Sequence, residues 1–392
     1  MSAAPTARVV ANPLAGRPQV WSPYTRAALE FHRRLPGYRV TPLLSAPSLA
    51  GRLGVGEVLV KSETERFGLP AFKMLGASWA TYQAVVEHLG EEPKPWETVE
   101  ELAAALAPLR PFALAAATDG NHGRAVARMA ALLGFDAHVF VPAGTVDARI
   151  DAIAGEGAEV TVVDGTYDDA VARSAEEAGS RCLVISDTSW PGYERVPRWV
   201  VEGYSTMFWE IADRLASAGH ESPSVVVVPM GVGALAAATV NHWCREEPHP
   251  LVVGVEPTDA NCVMASALAG GLTIVPGPHR SIMAGLNCGT PSPVAWPLVS
   301  SSVGAFVAVD DDWARDAVRD LAALGVEAGE TGAAALAGLA AYQADGGVVE
   351  RSGGAAGSAP QVLAPDASVL IVCTEGATDP GAWREILGVK EI

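Results

Sequence analysis

The sequence predicts an α/β protein with two open, twisted, mostly parallel sheets flanked by helices. Short apolar strands alternate with amphipathic helices from Phe112 onward. Repeated βα units of this kind form parallel sheets that helices cover on both faces. A largely helical stretch at 187–217 interrupts the alternation, which resumes at Ser224. We therefore expect the strands before this stretch to form one sheet, and those after it to form another together with the N-terminal segment.

A chain of 392 residues can hold two domains. We expect a large domain made of residues 1–84 and 186–392, and a small domain made of residues 85–185. A cleft between two such lobes is the usual place for a small-molecule site.

Ahead of the alternation, the pattern predicts a helix at 22–35, a strand at 57–61 and helices at 75–89 and 98–106. The first alternating group contains predicted strands at 112–118, 137–141, 158–163 and 182–186, and predicted helices at 121–133, 146–154 and 167–178. The second group contains predicted strands at 224–229, 251–256, 304–309 and 368–373, and predicted helices at 233–246, 259–269, 312–323, 331–344 and 380–387. The Gly/Ala/Ser-rich run at 350–360 is interpreted as a mobile surface loop.

Composition excludes several classes of protein. Hydrophobic residues make up 49% of the chain, but they form no run near the length of about 18 that a membrane span needs. The N-terminus lacks a signal-peptide pattern. The net charge of -18 argues against nucleic-acid binding and against anionic membranes. Five scattered cysteines without a CxxC pair indicate reduced thiols in a cytoplasmic protein, with no metal site.

Lys73 is the candidate nucleophile. It follows Phe72 and precedes the apolar run Met74-Leu75, where a loop gives way to a helix. Burial there would disfavour the ammonium form and suit the amine to Schiff-base chemistry. On its own the window favours an interfacial lysine whose amine reaches water, and it is the three loops described next that change this interpretation.

Three loops at predicted strand ends carry polar or small residues, which is where open α/β sheets bind ligands. The first loop is 117–123, whose glycines and helix-start N–H groups can bind a carboxylate. Plain N-capping by Asp119 or Asn121 is the alternative.

The second loop is the small-residue turn at 229–235, which leads into a helix. Its donors and the helix dipole suit a phosphate group. A tight connection between strand and helix is about equally compatible with the pattern. A dinucleotide site is disfavoured because the third glycine of that motif would fall at Ala236.

The third loop begins with Thr374 after the strand at 368–373. Its hydroxyl can hydrogen-bond a ring nitrogen without requiring that nitrogen to be protonated. An ordinary Ser/Thr turn is the alternative.

Together these stretches resemble the tryptophan-synthase-like, fold type II class of pyridoxal-phosphate enzymes, and within it diaminopropionate ammonia-lyase. The strings RFGLPAFKMLG at 66–76 and ATDGNHG at 117–123, in that order, carry the resemblance. It implies pyridoxal 5'-phosphate as cofactor, β-elimination of ammonia from 2,3-diaminopropionate to give pyruvate and ammonia, and a homodimer.

The resemblance also implies roles for individual residues. Lys73 would form the Schiff base with the cofactor, next to Phe72. Asn121 would lie near the phenolic oxygen of the cofactor, and Thr374 near its pyridine nitrogen. The phosphate would be bound by Gly231, Val232, Gly233, Ala234 and Leu235. The substrate carboxylate would be bound by the loop that contains Thr118, Gly120 and His122.

Asp119 carries the most information about the substrate. The related dehydratases have a small uncharged residue at this point, whereas the ammonia-lyases have Asp. The carboxylate can take the Cα proton, or bind and protonate the leaving β-amine. Asp187 matches a second aspartate of the family and would share this work, although an N-cap for the following helix is equally compatible.

Two alternatives remain open at this point. A serine or threonine dehydratase, or a β-replacement synthase acting on another β-substituted amino acid, would use the same cofactor residues. A cofactor-binding protein without turnover would have no need for Lys73, Asp119 and Asn121 together. The likeness also places Cys262 and Cys288 in neighbouring segments, where the two thiols would bridge under oxidation.

Overall fold

The computed structural model describes residues 5–118, 120–344, 348–353 and 361–389. The chain forms two compact units. The eight-strand unit comprises Met1–Tyr24, Thr41–Glu65 and Met207–Ile392, and the four-strand unit comprises Thr25–Val40 and Arg66–Thr206. The domain boundaries drawn from the sequence stay a prediction.

The eight-strand unit is built on one mixed sheet, with elements numbered along the chain. Its strands are β1 (Thr6–Ala11), β2 (Leu43–Ser45), β3 (Glu57–Ser62), β8 (Val225–Pro229), β9 (Leu251–Pro257), β10 (Ala305–Val309), β11 (Val348–Ser352) and β12 (Ser368–Cys373). They lie in the order β11-β1-β10-β9-β8-β12-β3-β2. Pairing is parallel except for β1 with β10 and β2 with β3.

The central strands of this sheet are runs of valine and other apolar residues without alternation. Every residue of β8 and β10 is buried. Such runs form where helices cover both faces of a parallel sheet. The helices that lie wholly in this unit are α2 (Pro47–Leu53), α9 (Ala234–Trp243), α10 (Cys262–Ala269), α11 (Trp296–Ser302), α12 (Asp311–Ala323), α13 (Glu330–Gln343) and α14 (Pro380–Leu387).

The four-strand unit is built on a fully parallel sheet. Its strands are β4 (Ala113–Ala117), β5 (Asp136–Pro142), β6 (Glu159–Val163) and β7 (Cys182–Val184), in the order β6-β5-β4-β7. Its helices are α1 (Ala27–His32), α3 (Lys73–Leu89), α4 (Val99–Ala105), α5 (Asn121–Leu133), α6 (Asp147–Ala154) and α7 (Tyr167–Ala175). The long helix α8 (Arg195–Ala218) contributes its residues up to Thr206 to this unit and the rest to the other.

The expectation of two mostly parallel sheets flanked by helices is confirmed. Two local predictions are wrong. Val348–Ser352 is a strand that pairs with β1, where the sequence was interpreted as loop; the rest of that loop, 354–360, lies outside the described residues. The first helix is limited to Ala27–His32, since the ring of Tyr24 stacks on Trp209 within the eight-strand unit instead of continuing the helix. Among the described residues, no helix is both long and apolar enough to cross a membrane.

Candidate active site

Lys73 is the first residue of α3, and Phe72 caps that helix. Its Nζ donates a hydrogen bond to Oδ2 of Asp187 at 2.7 Å, and the side chain is 24% exposed. The Nζ also lies 5.5 Å from the centre of the Phe72 ring. The sequence suggested apolar surroundings, but the structure adds a carboxylate counter-ion that stabilises the charged amine.

Asp187 follows β7 and has a side chain only 7% exposed. Its Oδ1 accepts a hydrogen bond from the Tyr167 hydroxyl at 3.1 Å, and Nδ1 of His122 lies 4.0 Å from Oδ2. Burial acts to raise the pKa of Asp187, but the Lys73 ammonium and the neighbouring donors outweigh it, so the pKa lies well below its ordinary value. Asp187 is therefore ionised and paired. Since α8 begins only at Arg195, the N-cap alternative is wrong.

The loop after β4 leads directly into α5, and Asn121 is the first helical residue. Thr118 is buried, and its Oγ1 accepts a hydrogen bond from the Gly120 N–H at 2.8 Å. The φ of Gly120 is +157°, at the edge of the region that favours glycine. The first turn of a helix presents N–H groups that helical bonding does not use, as the predicted carboxylate site requires. Asp119 lies outside the described residues.

The side chain of His122 faces inward from the start of α5. Its Nε2 donates to the carbonyl oxygen of Ile185 at 2.7 Å, which leaves Nδ1 toward Asp187. This contact ties the start of α5 to the segment that carries Asp187. A carboxylate contact by His122, which stays a prediction, therefore falls to its backbone N–H.

In the eight-strand unit, the loop after β8 carries the predicted phosphate residues. Gly233 has φ +93° and precedes α9, which starts at Ala234. A Cβ on Gly231 would lie 3.0 Å from Sγ of Cys288 and 3.2 Å from the carbonyl oxygen of Gly285. The loop is therefore closely packed at Gly231, and it leads into the N-terminus of α9, whose N–H groups can bind a phosphate.

Cys262 and Cys288 both contact Gly231. Sγ of Cys262 lies 3.7 Å from the Gly231 carbonyl oxygen, and Sγ of Cys288 packs against the Gly231 Cα. Both thiols are reduced in the structure. The two cysteines therefore share a neighbour, and their bridging stays a prediction.

Thr374 follows β12 and is buried. Its Oγ1 donates a long hydrogen bond of 3.4 Å to the carbonyl oxygen of Thr331 in α13. Because a hydroxyl keeps lone pairs while it donates, Thr374 is able to serve a ring nitrogen as predicted.

The chain was compared with known families and proteins. A family model described as "Pyridoxal-phosphate dependent enzyme" matches residues 34–353. Diaminopropionate ammonia-lyase of Escherichia coli K12 is 34% identical over 377 residues, which cover 92% of this chain and 90% of the relative. The chain belongs to the pyridoxal-phosphate-dependent enzyme family.

Solved structures and more distant relatives agree with this membership. Escherichia coli diaminopropionate ammonia lyase, solved with an aminoacrylate-PLP azomethine reaction intermediate, has a TM-score of 0.84 at 31% identity, covering 98% of this chain and 97% of that one. An L-threonine dehydratase of Escherichia coli K12 is 29% identical, covering 84% of this chain and 57% of the relative. The resemblance drawn from the motifs is confirmed.

For a pyridoxal-phosphate-dependent enzyme, the residues present fit the cofactor. The described residues include an amine paired with a buried carboxylate, a glycine turn at a helix N-terminus and a buried hydroxyl. These are the groups that bind an aldehyde, a phosphate and a ring nitrogen.

Two residues that lie beside Asp187 and Phe72 were not predicted from the sequence. Tyr167 opens α7 after β6 and so lies at the same strand-end edge as the loop 117–123 that was singled out in this unit. That position was a usable signal. Tyr204 lies within α8, packed on Phe72 with ring centroids 4.6 Å apart. A tyrosine in the middle of a helix gives no comparable signal in the sequence.

Proposed function

We propose that this enzyme eliminates ammonia from 2,3-diaminopropionate and yields pyruvate and a second ammonia. The observation that carries the proposal is the Lys73–Asp187 pair at the start of α3, with Nζ and Oδ2 2.7 Å apart. The relative with 34% identity over 92% of this chain is a diaminopropionate ammonia-lyase. A lysine that is partly exposed and oriented by a buried carboxylate suits covalent attachment of an aldehyde.

When bound, pyridoxal 5'-phosphate supplies an electron sink for the carbanion that forms at Cα. Lys73 would hold the cofactor through its amine, and once free of it would hold or move a proton at Nζ. Asp187 keeps that Nζ within 2.7 Å, and the Tyr167 hydroxyl fixes the second carboxylate oxygen at 3.1 Å. Because Asp187 holds the amine and Tyr167 holds Asp187, the proton of Lys73 is delivered from a defined place.

The remaining residues bind and orient. Residues Gly231 to Leu235 bind the phosphate through backbone N–H groups and the N-terminus of α9. Thr374 would hydrogen-bond the ring nitrogen of the cofactor, and Asn121 would lie near its phenolic oxygen. The first turn of α5, with Thr118 and Gly120 before it, binds the substrate carboxylate.

Asp119 decides between ammonia and water as the leaving group. Its carboxylate takes the Cα proton, or binds and protonates the departing β-amine. The motif resemblance implies that dehydratases have an uncharged residue at this point of the loop. Asp119 and Lys73 are the proposed acid/base pair, and Asp187 supports Lys73.

The attachment is tested by borohydride reduction of the holoenzyme and peptide mass mapping. The adduct is expected on Lys73. Lys61 is fully buried with its Nζ 2.7 Å from Oε2 of Glu210, and Lys94 is exposed, so these two lysines are internal controls. An adduct on Lys61 or Lys94 would refute the assignment.

The reaction is tested by kcat/KM on a panel of diaminopropionate, serine, threonine and O-acetylserine, with the visible absorption spectrum recorded as diaminopropionate is added. Diaminopropionate is expected to give the highest value. Higher activity on threonine or serine would favour a dehydratase, to which the threonine dehydratase relative points. A spectral change without product would indicate binding without turnover.

The enzyme is also proposed to act in the cytoplasm as a homodimer. The support is its membership of the family and the scattered, reduced cysteines. Sedimentation of the purified holoenzyme measures the oligomeric state, and a monomer at working concentration would contradict the dimer.

A further inference from the structure

Tyr204 is a fully buried tyrosine that packs against the turn of α3 carrying Lys73. Its side chain is 0% exposed. The ring lies 4.6 Å from the ring of Phe72, centroid to centroid. A Cβ on Gly76 would lie only 2.5 Å from the Tyr204 ring. Gly76 is one turn along from Lys73, so the Tyr204 ring occupies the helix face next to the lysine.

Two glycines, Gly76 on α3 and Gly203 on α8, allow this contact. A Cβ on Gly203 would lie 2.3 Å from the carbonyl oxygen of Leu75, so α3 and α8 touch backbone to backbone here. Buried His32 links the two helices, since its ring nitrogens lie 2.7 Å from Oγ1 of Thr206 and 2.9 Å from the Leu75 carbonyl oxygen. The position of Tyr204 relative to Lys73 is therefore fixed by helix packing.

The hydroxyl of Tyr204 has no hydrogen-bond partner of good geometry in the described part of the chain. A buried polar group left in that state costs about 1 to 3 kcal/mol. A phenylalanine would fill the same space without that cost. Burial raises the pKa of Tyr204, while the Lys73 ammonium acts to lower it and the Asp187 carboxylate acts to raise it.

We propose that Tyr204 is a positioning residue for Lys73, whose hydroxyl hydrogen-bonds the lysine amine while that amine is free of the cofactor. Asp187 only accepts hydrogen bonds, so it cannot donate one to the lone pair of the neutral amine. A hydroxyl both donates and accepts, so Tyr204 serves the amine in either protonation state. The amine thus keeps a partner throughout the proton cycle. The consequence for turnover rests on the proposed function, but the contact itself does not.

The test is Tyr204→Phe, read first in the apoprotein. Lys73 is labelled competitively with acetic anhydride across a pH series, with Lys94 as the internal reference. Hydrogen bonds to charged groups are stronger than those between neutral groups. Loss of the Tyr204 hydroxyl should therefore destabilise the protonated form of the Lys73 amine more than the neutral form. We expect the midpoint of Lys73 labelling to move about half to one pH unit lower.

Three further measurements distinguish a role of Tyr204 in positioning Lys73 from a role in packing alone. Thermal stability of Tyr204→Phe should stay close to that of the wild type, because the ring keeps its packing and only the contact of the hydroxyl with the Lys73 amine is lost. In the holoenzyme, kcat should fall several-fold with KM for diaminopropionate unchanged. Tyr82→Phe is the matched control on α3; it removes a hydroxyl bonded to Glu92 and should leave the Lys73 midpoint in place.

An unchanged or higher midpoint of Lys73 labelling in Tyr204→Phe would overturn the proposal. Failure of the proposed function looks different. A cofactor adduct away from Lys73 would refute that function, while the labelling midpoint in the apoprotein would still report whether Tyr204 contacts Lys73.

Discussion

Replacing Asp187 with asparagine tests the contact on which the site is built. Asp187→Asn keeps the size of the side chain and its hydrogen bond from Tyr167, but removes the charge that pairs with Lys73 at 2.7 Å. Losing one member of a fully buried pair costs about 3 to 5 kcal/mol, and an exposed pair contributes about 0 to 1 kcal/mol. Asp187 is 7% exposed but Lys73 is 24% exposed and can be rehydrated. We expect a loss of ~1 to 3 kcal/mol in the free energy of unfolding.

The stability loss should depend on pH in a defined direction. The pKa of Asp187 is lowered in the folded state, so its contribution is complete above the ordinary aspartate pKa of about 4 and declines as pH falls below it. The difference between wild type and Asp187→Asn should therefore be constant above about pH 5 and shrink below about pH 4. Urea unfolding at a series of pH values measures it.

We also expect a large loss of activity in Asp187→Asn. Without its counter-ion the Lys73 amine is no longer oriented, and a misdirected proton transfer costs typically about 10² to 10⁴-fold in rate. The assay is kcat/KM for diaminopropionate by pyruvate release, with cofactor absorbance confirming occupancy. Asp151→Asn, on the exposed face of α6, is the matched control. Wild-type turnover and stability in Asp187→Asn would show that the ion pair has no part in the reaction.

Three further outcomes are expected. Asp119→Asn should retain the cofactor and lose about 10² to 10⁴-fold in kcat/KM for diaminopropionate, with a smaller loss for serine; near wild-type activity would remove Asp119 from the mechanism. Gly231→Ala should weaken cofactor binding about tenfold in titrations of the apoprotein, because its Cβ would lie 3.0 Å from Sγ of Cys288, whereas Gly271→Ala, with open space around it, should not. Burial raises the pKa of Glu256 to about 8, so this carboxyl should make the wild type less stable by at most ~1.4 kcal/mol per pH unit as pH rises from about 5 to 8, and Glu256→Gln should remove that slope in urea unfolding. A slope that persists in Glu256→Gln would assign it to another group.

Strong local patterns allowed most of the fold to be predicted. The helix at 121–133 and the strand at 368–373 have the predicted bounds, since a glycine ends the first and an uninterrupted apolar run defines the second. The strands β1 and β2 were missed. β2 has three residues, too few for a periodic signal, and β1 is held by pairing with β10 and β11, which lie far away in sequence.

Site residues that lie at the ends of predicted strands could be predicted from the sequence. Thr118 and Asp187 stand directly after predicted strands, and the sequence pointed to both. The contact that defines the site, between Lys73 and Asp187, joins residues 114 positions apart. No periodicity or spacing encodes such a pair. Only the packing of α3 beside the segment after β7 creates it.

Lys61 and Lys73 both have a carboxylate partner, but they differ in how far the amine is accessible. Lys61 and Lys73 each contact a carboxylate at 2.7 Å. Lys61 lies on β3, is 1% exposed, and has its Nζ occupied by Glu210 and the Thr41 carbonyl oxygen, so it is a closed structural pair. Lys73 stands at the first residue of α3, and its side chain is 24% exposed. An amine that must bind and release a ligand needs access as well as a counter-ion, and of these two lysines only Lys73 combines them.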